Sequence, residues 1–181
     1  MIRILLLLII SLLHFDGFSQ KRYFSEKSNI TFFSAGVIEE IKASNTKVTS
    51  ILDILSGEIA YLLNPKDFQF EKKLMQVHFN EKYMESEKYP RSSFKGKIEG
   101  LDASNTSLQQ VKAVGQLSIH GVTRDVTIPG QITRTDTGLN MTSKFVVELK
   151  DYKVEIPRLM WQNIAERVEV TLDFSLKPPA E

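Results

Sequence analysis

Hydrophobic and polar residues alternate along most of this chain, and the last run shows the pattern most cleanly. In RVEVTLDFSLK, residues 167–177, Val168, Val170, Leu172, Phe174 and Leu176 alternate with Glu169, Thr171, Asp173 and Ser175. Successive side chains of a strand point to opposite faces, so one face of this segment is buried and the other meets water. Less regular runs of the same kind lie at 29–34, 37–43, 46–53, 58–63, 93–99, 111–120, 123–133 and 139–149. Turn-forming residues separate most of them: Ser34-Ala35-Gly36, Ala43-Ser44-Asn45, Ser56-Gly57 and Asp136-Thr137-Gly138. The pattern predicts an all-β antiparallel meander of about eight strands or slightly more, closed into a barrel because closure removes exposed strand edges. A two-sheet sandwich with the same strand count is the rival architecture.

Two stretches depart from this rhythm. In FEKKLMQVHFNEKYMESEKYP, residues 70–90, Leu74 with His78 and Met75 with Phe79 stand at helical spacing, Asn80 is placed to cap a second helix, and Pro90 ends the segment. Short helices are therefore expected within 71–89. EIPRLMWQNIAER, residues 155–167, holds Pro157 and the sole tryptophan, Trp161, and predicts a loop with a helical turn near 157–165 packed over one barrel end. A third feature, QLSIHGVTRDVTIPG at 116–130, interrupts an alternating run at His120-Gly121 and resumes it at once. Gly121 supplies the backbone freedom of a tight turn, so this reads as a hairpin corner.

The N-terminus adds a different kind of segment. Arg3 precedes an apolar run from Ile4 to Leu13, broken only by Ser11, and Gly17-Phe18-Ser19 offers small residues at the spacing of a cleavage site. That is the layout of a secretory signal peptide, and the run falls short of the roughly 20 residues a bilayer-crossing helix needs. Residues 1–19 are thus expected to direct export and 20–181 to form one mature domain, periplasmic or secreted. The absence of cysteine rules out disulfides and thiolate metal sites. With 23 basic and 22 acidic residues interleaved, the charge balance gives no reason to expect nucleic acid as a partner. The oligomeric state is left open.

Catalytic chemistry finds little support. His78 and His120, the two histidines beyond the signal, stand in separate elements with no acidic residue at metal-ligand spacing, so no metal is expected. His120 and Asp125 lack a serine in a Gly-x-Ser-x-Gly elbow, and the pairs Glu39-Glu40 and Glu85/Glu87 do not present two carboxylates to one site. Glycines occur singly, which excludes the phosphate-cradling loops of nucleotide cofactors. Asn29-Ile30-Thr31, Asn105-Thr106-Ser107 and Asn140-Met141-Thr142 match the glycosylation sequon, which short sequences meet by chance.

Several motifs, taken together, resemble the YceI family. VGQLSIHGVTRDVTIPGQI is similar to that family's Gly-x-Leu-Thr-Ile-x-Gly-Val-Thr-Lys/Arg hairpin, with Ser118 in place of the commoner threonine; SNITF resembles its first strand, LMQVHFNEKYMESEKYPRSSFKGKI its histidine-containing segment, and IAERVEVTLDFSL its closing strand. Gln76-Val77 replaces the usual Arg-Asp before the histidine, and LKDYKVEIP at 149–157 replaces the common Arg-x-Asp-Phe-Gly, so polar contacts of those residues do not carry over. The resemblance implies an extended lipocalin-like antiparallel barrel, no enzymatic activity and no cofactor. It also implies a carrier that sequesters a polyisoprenoid or similar amphiphile. By alternation the inward-facing lining would be Phe94, Ile98, Leu117, Ile119, Val126, Ile128, Val168, Val170 and Leu172, with His78, His120 and Arg124 at a rim. The alternative is a non-enzymatic interaction or stress-related module with those side chains filling a solid barrel and a protein partner outside.

Overall fold

The computed structural model describes residues 21–36, 40–156 and 165–179. Ten antiparallel strands run in chain order: β1 (Arg22–Ala35), β2 (Glu40–Asn45), β3 (Thr49–Asp53), β4 (Glu58–Leu63), β5 (Gln69–Phe70), β6 (Ser92–Glu99), β7 (Gln109–Ile119), β8 (Val122–Arg134), β9 (Leu139–Glu148) and β10 (Arg167–Lys177). Eight of them, all but β2 and β5, form a ring. The ring closes where β10 pairs with β1, from Phe24 opposite Lys177 to Phe33 opposite Glu169. That closure makes the molecule a barrel and excludes the sandwich.

β1 begins earlier than the alternation suggested, and a β-bulge explains why. The register with β10 shifts between Ser25 and Lys27, so Glu26 is an extra residue. An extra residue moves the inward set from one parity to the other. Tyr23 is buried before the bulge, and Ile30 and Ser34 after it. The N-terminal half of β1 pairs with β3 and the C-terminal half with β2, which in turn holds the two-residue β5. Ala43-Ser44-Asn45, expected as a turn, lies inside β2. Asn45 is fully buried there, its side chain donating to the Asn64 carbonyl and accepting from the Lys47 N–H.

The helical stretch is one segment rather than two helices: α1 (Lys73–His78) runs directly into a π-helical turn at Phe79–Tyr83. Asn80 caps nothing; its amide donates to the Gln76 carbonyl and its side-chain oxygen accepts from Ser86 Oγ. The turn expected at 157–165 lies almost wholly outside the described residues. His120-Gly121 is the corner between β7 and β8, with φ of 50° and 73° joining Ile119 to its partner Val122. Two successive positive φ values are those of a type I′ hairpin turn.

Along β7, β9 and β10 the inward residues pass from tightly buried at one end to half-buried further along. In β10, Phe174 and Leu176 are 0% and 1% exposed, whereas Val170 and Leu172 are half-buried although they face the same way. Leu52, Ile59, Ile132 and Leu139 complete the filled end with Phe174 and Leu176. One half of the barrel is therefore packed solid, and the other half is hollow.

Candidate binding cavity

The hollow half encloses a cavity of about 510 Å³, a size typical of small-molecule pockets. Its floor is a stack of rings across the barrel waist: Tyr61 lies on Phe174 at 5.1 Å and 13°, with Phe94 6.0 Å from Tyr61. Among the described residues the Tyr61 hydroxyl donates only to Met141 Sδ, at 3.4 Å, and burial pushes its pKa well above the ordinary phenol value, so it stays neutral. Above the floor the wall is aliphatic and aromatic, with Ile98, Ala113, Leu117, Phe145, Val170 and Leu172 among its residues.

A cap covers the top. Phe32 of β1 sits within 5.3 to 5.6 Å of Phe68, Phe70 and Phe79, binding the 64–83 segment to the barrel through one ring cluster. Such pairs prefer offset-stacked and edge-on contacts, and each contributes about 0.5–1.5 kcal/mol beyond its area. From α1 and the turn after it, Leu74, Met75, His78, Phe79 and Tyr83 reach the cavity. Leu149, Tyr152 and Val154 reach it from a short 3₁₀ turn following β9.

The hairpin corner ties these pieces together. His120 is 8% exposed; its Nε2 donates to Glu85 Oε2 at 2.8 Å, and its Nδ1 faces the Tyr152 carbonyl at 3.2 Å. The Tyr89 ring packs in a T-shaped contact with His120 at 4.5 Å, over the space a Gly121 side chain would need. Arg124 Nε donates to the Asp151 carbonyl at 3.0 Å. The hydrogen bond from His120, with Lys88 nearby, holds the half-exposed Glu85 carboxyl below the usual range. Glu85, His120 and Lys153 are the non-glycine residues with positive φ among those described. All three belong to this junction. Backbone strain of this kind persists only where surrounding contacts fix it.

Of the apolar residues anticipated from alternation, all reach the cavity except Val126. Val126 faces inward beside Gly115 but packs into the core at the waist, where no side chain on Gly115 holds it away. The three rim candidates separate: His78 lines the cavity, while His120 and Arg124 lie outside it and hold the 149–152 turn. His120 and Asp125 are not brought together; Asp125 instead accepts from Gln116. Among the described residues no three potential metal ligands cluster. Sequence reasoning missed Phe32, Tyr61, Met141 and Phe145. All four have the inward parity of their strands and needed only a register to be found; at Phe32 the adjacent Phe33 also blurs the alternation.

The match to known proteins fits this architecture. The YceI-like domain matches residues 23–176. A solved polyisoprenoid-binding domain from Saccharophagus degradans, implicated in plant cell wall breakdown, superimposes with a TM-score of 0.75 at 14% identity over 87% of this chain and 98% of that one. Burkholderia cenocepacia BcnA gives 0.68 at 15% identity, covering 81% and 94%, and the Campylobacter jejuni YCEI protein gives 0.60 at 16%, covering 79% and 87%. Among curated proteins none matches the chain. The structural likenesses establish the shared barrel, and the domain match spanning nearly all of the described strands places this chain in the YceI family.

Proposed function

We propose that the protein is an exported carrier that sequesters the apolar chain of a polyisoprenoid or similar amphiphile, acting by burial and not by chemistry. The observation that carries this reading is the hollow, apolar half-barrel over an aromatic floor. Burying a dozen methylenes at about 0.8 kcal/mol each gives roughly 10 kcal/mol of gross transfer energy. Association entropy takes back several kcal/mol of this, so a net affinity in a useful range needs no strong polar contact. Selectivity then rests on chain shape and length. The signal-like residues 1–19 support a place outside the cytoplasm, where such a chain has to be shielded from water.

Native mass spectrometry and lipid extraction of the protein purified from its own host test the proposal directly. A co-purifying amphiphile is expected, and Ala113→Phe, which puts a ring into the cavity from β7, should release it while the fold survives. Failure to find any bound amphiphile, with no binding of an apolar fluorescent probe, would overturn the reading.

A further inference from the structure

The barrel wall is not continuous. β8 and β9 pair from Arg134–Leu139 to Gly130–Ser143, and there the ladder stops, although β8 continues to Val122 and β9 to Glu148. Beyond that point β9 follows β10, in register from Lys144 opposite Thr171 to Glu148 opposite Arg167. Ion pairs Lys144–Glu169 at 2.8 Å and Arg167–Glu148 at 2.9 Å hold it there. β8 meanwhile follows β7 to the corner at Ile119 and Val122. The two strands part.

The sequence accounts for the split. Pro129 is the first residue past the end of the ladder, and its carbonyl accepts from Ser143 Oγ on β9 at 2.6 Å, so that carbonyl points toward β9. The N–H and C=O of one strand residue lie on the same side, so the donor that proline lacks is the one that would continue the β8–β9 ladder. The resulting window is bounded below by Gly130 and Ser143, and above by Arg124 Nε on the Asp151 carbonyl. Pro129 and Thr142 have outward parity on their strands, yet both line the cavity. The cavity therefore passes through the wall at this seam. Val146, 47% exposed, stands on the outer side of the β9 rim.

We infer that this lateral window is the route by which an apolar chain enters and leaves the cavity, sliding in sideways between β8 and β9. The inference rests on the carrier reading above and adds the path. Loading past the cap would instead require breaking the Phe32 ring cluster and the Glu85–His120 contact. Passage through the window breaks no strand pairing. Its edges suit a chain that needs no hydrogen bonds while their own backbone groups stay hydrated.

The chain has no cysteine, which makes a bridge across the window a clean test. Thr127→Cys with Val146→Cys, joined by a short bis-maleimide, spans the gap; Thr133→Cys with Asn140→Cys, opposite each other in the paired part, is the control. Stopped-flow fluorescence with uncharged N-phenylnaphthylamine reads loading and release. The bridged window should slow both rates at least about tenfold with their ratio unchanged, as for a gate that does not touch the bound state, and the control should slow neither. Unchanged rates in the bridged protein would overturn the inference and assign passage to the cap. Hydrogen exchange of the ligand-free protein supplies an independent reading. Alternate amides of 122–129 and 144–148 should exchange far faster than those of 130–134 and 139–143, and equal protection would show the wall to be closed. If the probe binds to no form of the protein, the carrier reading fails, and the exchange data still decide whether the window exists.

Discussion

Gly115 is the residue at which the waist of this barrel is most sharply set, and Gly115→Ala tests that. Gly115 pairs with Gly96 across β6 and β7. A Cβ on Gly115 would stand 2.3 Å from the Lys95 carbonyl oxygen and 2.4 Å from Gly96 Cα, and both are backbone atoms that cannot swing aside. A Cβ on Gly96 would in addition meet the Phe94 ring at 2.8 Å, so the floor of the cavity occupies the room the glycine pair leaves. Overpacking of this kind costs about 1–3 kcal/mol, and the upper end applies because strands must separate. Lower chain entropy in the unfolded state returns about 0.4–1 kcal/mol. The net expectation is a loss of about 2 kcal/mol, which for a chain of this size lowers Tm by roughly 4–8 °C. Gly130→Ala is the internal control, because its nearest neighbour would be the Thr142 carbonyl oxygen at 3.1 Å and a small adjustment suffices. Urea and thermal unfolding followed by far-UV circular dichroism read both variants. A Gly115→Ala protein as stable as the wild type, or no less stable than Gly130→Ala, would refute the claim that close backbone approach shapes the waist.

Three further outcomes follow from the cap and the floor. Because the Glu85 carboxyl is held below its ordinary value of 4.5 by His120 and Lys88, it contributes stability that is fully present above that value and is lost as pH falls through the folded one. Acid unfolding curves should show this contribution disappear in Glu85→Gln, and identical curves for the two proteins would refute it. Gly121→Ala should destabilise through both its φ of 73° and a Cβ only 2.5 Å from Tyr89 Cε1, by about 1–3 kcal/mol, read from the urea midpoint. Tyr61→Phe should leave stability within about 1 kcal/mol of wild type or raise it, since the acceptor of the buried hydroxyl among the described residues is a weak one, the Met141 sulfur; a large loss in thermal unfolding would show that the Met141 contact matters more than its chemistry suggests.

The strands from β6 to β10 were legible because each has a wet outer face and a dry inner face, and period-two alternation records that contrast directly. Gln109 to Ile119 and Arg167 to Lys177 match their predicted runs to within a few residues. The pattern failed where other physics sets the structure. Glu26 bulges out and changes the parity of β1, so RYFSEKS shows no alternation although it is strand. Asn45 belongs to a strand because its buried amide finds partners in Asn64 and Lys47, a tertiary fact that overrides its preference for turns. Gln69-Phe70 is too short to carry any period.

The interior explains why the site was harder to read than the fold. Alternation says which side chains face inward, and it is equally satisfied by a packed barrel and a hollow one. What separates the two halves is the size and pairing of residues on different strands. Phe174 meets Tyr61 from across the barrel and closes the waist, while Ala113 and Leu117 on β7 face space that no partner fills. Such complementarity depends on register, which no single run of sequence contains. His120 illustrates the same limit from the other side: its place in a hairpin corner was visible from Gly121, but its bonds to Glu85 and Tyr152 join residues 35 and 32 positions away in the chain. The corner is therefore neither an active site nor merely a turn. It fixes the cap against the 149–152 turn, so the cavity keeps its roof even where the wall beneath is parted.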